Sequence, residues 1–307
     1  MTYTTGSVID AADYNSFATD TDGIWGTGAD NNGYGQTNIV GSVAAGATVT
    51  ATQWATLLTR IASAASHSGT SISAISNPTA GSTISAFAAL STNVSAINNN
   101  NAAASGADSA ATTTSTSAWA ASATTSKTVT FASADQLRYF FNSGGMIRMG
   151  FARSGGTASD QNTAWTTMLT NVGTIVLTGE GGVGSTKSIA GTTYQGTTKI
   201  GGGGTPTTLA DAIGAYELTG SNQTLFKQFA STYYYEANYV QIDALISGNV
   251  ITFAVSLVDV SGARVPGGLD NIDGTLTMTT TIRAPATTYI TDTWGTVSQN
   301  AATWTLT

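Results

Sequence analysis

The dipeptide Gly248-Asn249 sits between two runs of alternating apolar residues, and no other feature of the chain restricts its fold as tightly. A two-residue turn there sets Ile246 opposite Ile251, Ala244 opposite Phe253, Ile242 opposite Val255 and Val240 opposite Leu257. The same register sets Asp243 against Ala254 and Gln241 against Ser256, so one face of this hairpin is apolar and the other polar. A slip by one residue would bury Asp243. Further on, Leu276, Met278, Thr280 and Ile282 alternate with Thr275, Thr277, Thr279 and Thr281, which predicts a strand joining the same sheet with its threonines outward.

Around this hairpin the second half of the chain reads as strands with short helices. Ser133 and Gln136 have capping-box spacing, and Leu137, Phe140 and Phe141 give the helix that follows one apolar face. A strand then places Ile147, Met149 and Phe151 on one side, with Arg148 and Arg153 assigned to the remainder. Trp165, Met168, Leu169 and Val172 describe another helix, leading into a strand over 174–177.

The first half is different in kind. Asp10 can cap a short helix carrying Tyr14, Phe17, Ile24 and Trp25, before a glycine-rich stretch that includes Tyr34. Thr50 and Gln53 form a capping box ahead of Trp54, Leu57, Leu58, Ile61 and Ala65, a helical stripe that Gly69 ends. A third helix opens near Ser82, and Phe87, Leu90, Val94 and Ile97 recur at 3-4-3 spacing, which suits a short self-associating coiled coil or a helix packed on its own chain. Residues 98–126 are Asn, Ala, Ser and Thr with one tryptophan, the composition of a linker or extended arm. Up to residue 126 one basic residue faces six acidic ones, a net of −5, whereas the remainder nets −2. The expected organisation is α+β: a helical docking region over 1–80, a helix or coiled coil plus linker over 81–126, and a predominantly antiparallel β domain over 127–307.

Composition narrows the function. Charged residues make up 9% of the chain against about 25% in an ordinary domain, while 41% are hydrophobic. Neutral polar groups therefore dominate the surface, which suits packed assemblies. A net charge of −7 supplies no basic patch for nucleic acid. No apolar run approaches the roughly 20 residues that span a bilayer, and residues 1–13 do not resemble a secretory signal, which predicts folding where the chain is made. With no cysteine there is no disulfide and no thiolate metal site.

No catalytic set, cofactor site or metal site emerges from the motifs. The single histidine, His67, falls at a helix end and is expected at the surface. The run 179–184 matches G-x-G-x-x-G, but Ser185 stands where a phosphate loop needs lysine and no helical pattern follows, so it is read as a loop. Asp20 with Asp22, and Asp270 with Asp273, lack the spacing of an EF-hand and are read as turn residues. Glu236 lies among Tyr233, Tyr235 and Tyr239, which are candidates for glycan contact or simply strand tyrosines.

The segments Ala12-Asp13-Tyr14-Asn15, Ile24-Trp25-Gly26, Gly33-Tyr34-Gly35-Gln36, Gln53-Trp54 and His67-Ser68-Gly69-Thr70 resemble virion structural proteins of tailed bacteriophages, especially T4-like phages of cyanobacteria. Residues 137–145, Ile147-Arg148, Trp165 and Gly173-Thr174-Ile175-Val176 are similar to the same group. The resemblance implies a non-enzymatic particle component made in the host cytoplasm and carried in the virion. It would be a tail- or neck-associated fibre or appendage, with a capsid decoration protein or a glycan-binding or glycan-degrading tailspike as alternatives. Other virion proteins are the implied partners, with Tyr14, Trp25, Tyr34 and Trp54 as docking candidates. Fibres of this type imply a homotrimer, for which Phe87, Leu90, Val94 and Ile97 would supply the seam.

Overall fold

A computed structural model describes residues 11–77, 79, 87–104, 106, 108–182, 186–262 and 270–307. The proposed cap Asp10 and the proposed helix start at Ser82 lie outside these residues. The fold is α+β, with helices concentrated in the first hundred residues and antiparallel sheets after them.

Three helices open the described chain: α1 (Ala11–Trp25), α2 (Ala51–Ser68) and α3 (Phe87–Asn99). The Thr50 hydroxyl accepts the Gln53 N–H and the Gln53 side chain accepts the Thr50 N–H, so the capping box of α2 closes as the sequence predicts. Gly69 ends α2 at φ +68, a left-handed turn where an L side chain would be strained. The apolar stripes of the three helices face one another. Phe17 meets Phe87 edge to face at 4.8 Å, and Tyr14 meets Trp54 at 5.6 Å.

The expected linker is instead two strands, β1 (Asp108–Ser115) and β2 (Ser122–Thr130). After them come α4 (Ala134–Asn142), β3 (Met146–Ser154), α5 (Asp160–Val172), β4 (Thr174–Leu177), β5 (Lys187–Ile189), β6 (Thr192–Tyr194) and β7 (Thr197–Ile200). The chain continues with β8 (Thr208–Leu209), β9 (Gln223–Phe229), β10 (Tyr239–Ser247), β11 (Val250–Val258), β12 (Thr275–Arg283), β13 (Ser298–Gln299) and β14 (Thr305–Leu306). One sheet runs β1-β12-β3-β4-β7. A second runs β13-β2-β11-β10-β9-β8, with β14 also on β2.

The β10–β11 hairpin adopts the register derived from its turn, pair for pair. Its apolar face, Val240, Ile242, Ala244, Ile251, Phe253, Val255 and Leu257, is buried in a core cluster shared with the helices. The threonine-rich strand β12 buries Leu276, Met278, Thr280 and Ile282 as expected, but it joins the other sheet, between β1 and β3. Its neighbour β3 also corrects the reading of Arg153. This residue shares parity with Ile147, Met149 and Phe151, so it points inward and is buried. Ser133 caps α4 by accepting the Gln136 N–H, although no reciprocal bond from the Gln136 side chain accompanies it.

Residue 126 is no boundary, because it lies within β2, and both β1 and β2 are built into the sheets. Their alternation is hard to see because it is written in Ala123, Thr125, Lys127 and Val129 rather than in large apolar residues. The glycine-rich loop of the helical part is also clasped to α4 and to the segment after α3. Arg138 donates to Asn32 O at 2.8 Å, Asn142 to Gly33 O at 3.1 Å, and Tyr34 Oη to Asn101 O. Gly35, at φ +72, lies under the Tyr139 ring, where a Cβ would come within 2.5 Å of a ring carbon.

Candidate functional site

The residues expected to dock or to oligomerise are core residues. Tyr14, Trp25, Tyr34 and Trp54 are all buried, with the Trp25 indole donating to Asn38 Oδ1 at 2.9 Å and Arg60 lying over its ring. Phe87, Leu90, Val94 and Ile97 are buried too, against α1 and α2 of the same chain. An amphipathic stripe looks the same whether its partner is a neighbouring helix or a second copy, and here the neighbour takes it. His67 is likewise internal. Its Nε2 donates to Ser143 O at 2.9 Å, its Nδ1 has no partner among the described residues, and the Tyr34 ring meets it edge-on at 5.0 Å. Burial lowers its pKa to about 4, with the bond to Ser143 O pulling weakly the other way.

The aromatic segment between β9 and β10 does reach the surface, though not through every predicted residue. Cross-strand pairing puts Phe229 beside Tyr239, rings 5.4 Å apart, and Lys227 Nζ lies 3.9 Å from the Tyr239 centroid and 5.0 Å from that of Phe229. Tyr239 is therefore half covered. Tyr235 turns inward and is buried, held at a turn by its N–H to Thr232 O. Tyr233 is 78% exposed and Tyr234 is 44% exposed, and Tyr234 adopts φ +78, a conformation that costs about 1–3 kcal/mol in a residue with a bulky side chain. Ala230 N–H to Asn238 O, together with the buried Asn238 amide accepting the N–H groups of Val260 and Ser261, fixes the base of this loop. Glu236 is exposed beside it. The arrangement is an aromatic ledge of Phe229, Tyr233 and Tyr234 on a rigid hairpin base.

A cleft of about 490 Å³ opens where the glycine-rich loop meets α4 and the segment 215–218. Most of its polar groups are already engaged. Asn31 donates to Glu180 Oε2 at 2.5 Å, Tyr216 Oη to Asn142 Oδ1 at 2.7 Å, and Glu217 Oε2 accepts the N–H groups of Gly181 and Gly214. Burial raises the Tyr216 pKa well above its ordinary value, so it stays a donor. Among the described residues, Gly179–Gly182 serve this packing. The next element is the strand β5, so the phosphate-loop spacing has no helix behind it.

The start of α5 gathers Asp270 and Asp273, which sequence reasoning assigns to turns, and also Asp259. Asp273 accepts from the N–H and hydroxyl of Thr157, from the Asn162 amide, and from Arg153 at 3.3 Å. The Thr157 bonds, then Asn162 and Arg153, hold its pKa down to about 2. The adjacent Gln161 donates to both Asp259 and Asp270. Burial pushes the Asp259 carboxyl up to about 6, against the opposing pull of its bonds from Gln161 and the Ser261 N–H.

Among the described residues no group of three or more His, Cys, Asp or Glu converges, and no helix is long and apolar enough to cross a membrane. Comparison with family models, with curated proteins and with solved structures returned no match.

Proposed function

We propose that the chain is a non-enzymatic structural component of a tailed-bacteriophage particle, of the tail- or neck-associated fibre or appendage kind, and that its aromatic ledge contacts a host-surface glycan. The observation that carries the contact is the exposure of Tyr233 and Tyr234 on a loop whose base is pinned. Aromatic faces of this kind stack on the C–H faces of sugar rings, and the hairpin beneath them removes much of the ordering cost of binding. The particle role rests on the resemblance of the quoted segments and on a surface poor in charge. Partners would be other virion proteins. Contacts between copies, trimeric or otherwise, would use faces outside α3, whose apolar stripe is occupied.

Cryo-electron microscopy of the particle tests the location. Density at the tail or neck supports the appendage, whereas density repeated over the capsid lattice replaces it with a decoration protein. Purified chain mixed with host polysaccharide tests the contact. Saturable binding that is lost in Tyr233→Ala and Tyr234→Ala, without release of new reducing ends, is the expected result. Release of sugar ends that stops in Glu236→Gln would make the chain a glycan-degrading tailspike instead.

A further inference from the structure

We propose that the cleft between the glycine-rich loop, α4 and the β10–β11 turn receives a lysine or arginine side chain projected by a partner polypeptide. The cleft measures about 490 Å³, a size that suits a short segment of chain rather than a lone ion. Its walls are apolar, with Leu137 from α4, Ala215 and Leu218 from the segment before β9, and Ile246 from β10. Its charged lining is lopsided, setting the carboxylates of Asp30, Glu180 and Glu217 against the guanidinium of Arg138. An aliphatic stem with a cationic tip matches that division, the stem lying on the apolar wall and the tip among the carboxylates.

The acidic excess remains once every partner is counted. Arg138 is committed elsewhere, because its Nη1 donates to Asn32 O at 2.8 Å, its Nη2 donates to Asp135 at 3.3 Å, and its guanidinium lies over the Tyr139 ring. Lys187 Nζ stands 3.9 Å from Glu180 Oε2 and answers that carboxylate. Among the described residues no cation answers Asp30 or Glu217. Glu217 Oε2 takes the N–H groups of Gly181 and Gly214, which fixes its carboxylate at the cleft without neutralising it. The bond from Asn31 to Glu180 likewise ties the loop that carries Asp30 to the opposite wall. The negative groups are thus held in place before any cation arrives, which lowers the ordering cost of binding. The cleft lies at the other end of β10 from the aromatic ledge, about 25 Å of strand away, so the proposal does not depend on the glycan contact.

The test uses the full chain, isotope-labelled and titrated with the peptides acetyl-Gly-Lys-Gly-amide and acetyl-Gly-Arg-Gly-amide while amide chemical shifts are followed. Saturable shifts at Gly181, Gly214 and Ala215 are expected in the millimolar range, weakening as NaCl is raised. The same peptide with norleucine in place of lysine keeps the stem but loses the charge, and should leave these amides unmoved. Asp30→Asn is compatible with the left-handed backbone at φ +52, which asparagine tolerates, and should weaken both basic peptides by about fivefold. Ala134→Trp, at an exposed position in the first turn of α4, should fill the cleft and abolish the shifts. Both variants should retain the circular dichroism of the parent. Equal binding of the norleucine peptide overturns the proposal, as does the absence of saturable shifts or an affinity that Asp30→Asn leaves unmoved. Spermidine acting at lower concentration than either peptide would replace the polypeptide partner with a small organic cation.

Discussion

Gln36 holds the backbone of Thr291 from both sides. Its Nε2 donates to Thr291 O at 3.0 Å, and its Oε1 accepts the Thr291 N–H at 3.0 Å and the Thr291 hydroxyl at 2.7 Å. A buried amide thus mimics a strand partner and joins the loop after α1 to the segment after β12. Gln36→Leu has nearly the same volume but leaves the Thr291 N–H and carbonyl unpaired, so it should cost about 2–3 kcal/mol in urea unfolding. For the same reason a fragment of residues 127–307 should fail to melt cooperatively, since it lacks β1 and part of β2 as well as this clasp. Cooperative melting of that fragment would show that the helices only decorate the sheets.

Leu90 tests what the α3 stripe is for. Because it is buried within its own chain, Leu90→Ala should destabilise by about 2–5 kcal/mol while leaving the oligomeric state measured by light scattering unchanged. Dissociation of an oligomer with little loss of unfolding energy would restore the coiled-coil reading.

His67 gives the fold a pH dependence with a definite sign. Its pKa is about 4 in the folded chain against an ordinary 6.5, so between these values the unfolded chain binds a proton that the folded chain does not. Stability is full above pH 6.5, falls as pH drops toward 4 and levels below that, by about 3 kcal/mol in all. Denaturant midpoints measured across this range should lose the step in His67→Gln.

Asp273 works in a lower window. Its folded pKa of about 2 lies below the ordinary 3.8, so its contribution is complete above 3.8 and disappears as pH falls toward 2. Asp273→Ala should lower Tm more than Arg153→Met does. The first leaves a buried guanidinium without its carboxylate, whereas the second removes the charge and keeps the packing. Equal losses would mean that the pair matters only as filled volume.

Legibility in the sequence follows apolar contrast. The β10–β11 register is readable because each inward residue is apolar while the outward face carries Gln241, Asp243, Thr252, Ala254 and Ser256, enough contrast to fix the register although Leu245 and Val250 share that face. The strands β1 and β2 are not, since Thr113, Thr125 and Lys127 point inward from a Ser/Thr-rich stretch. Lys127 reaches Asn300 O at 2.7 Å across the sheet edge, a contact no local pattern announces. Tyr14, Trp25, Tyr34 and Trp54 stand out in the sequence, but aromatic residues in short helices and turns signal burial and docking alike, and only packing separates the two. At the aromatic ledge the cluster itself is visible in the sequence, while the turn at Tyr234 decides which rings face water.

The sheet order also dictates when the molecule can be finished. β1 lies beside β12, and β2 lies between β11 and the last strands, so chain made early is paired with chain made late. While a ribosome is still translating, both early strands have edges with nothing to bond to until residues 250–283 emerge. Such distant pairing slows folding and leaves unpaired edges open to neighbouring nascent chains. The near absence of large apolar residues in β1 and β2, which hides them as strands, keeps those waiting edges from sticking to one another.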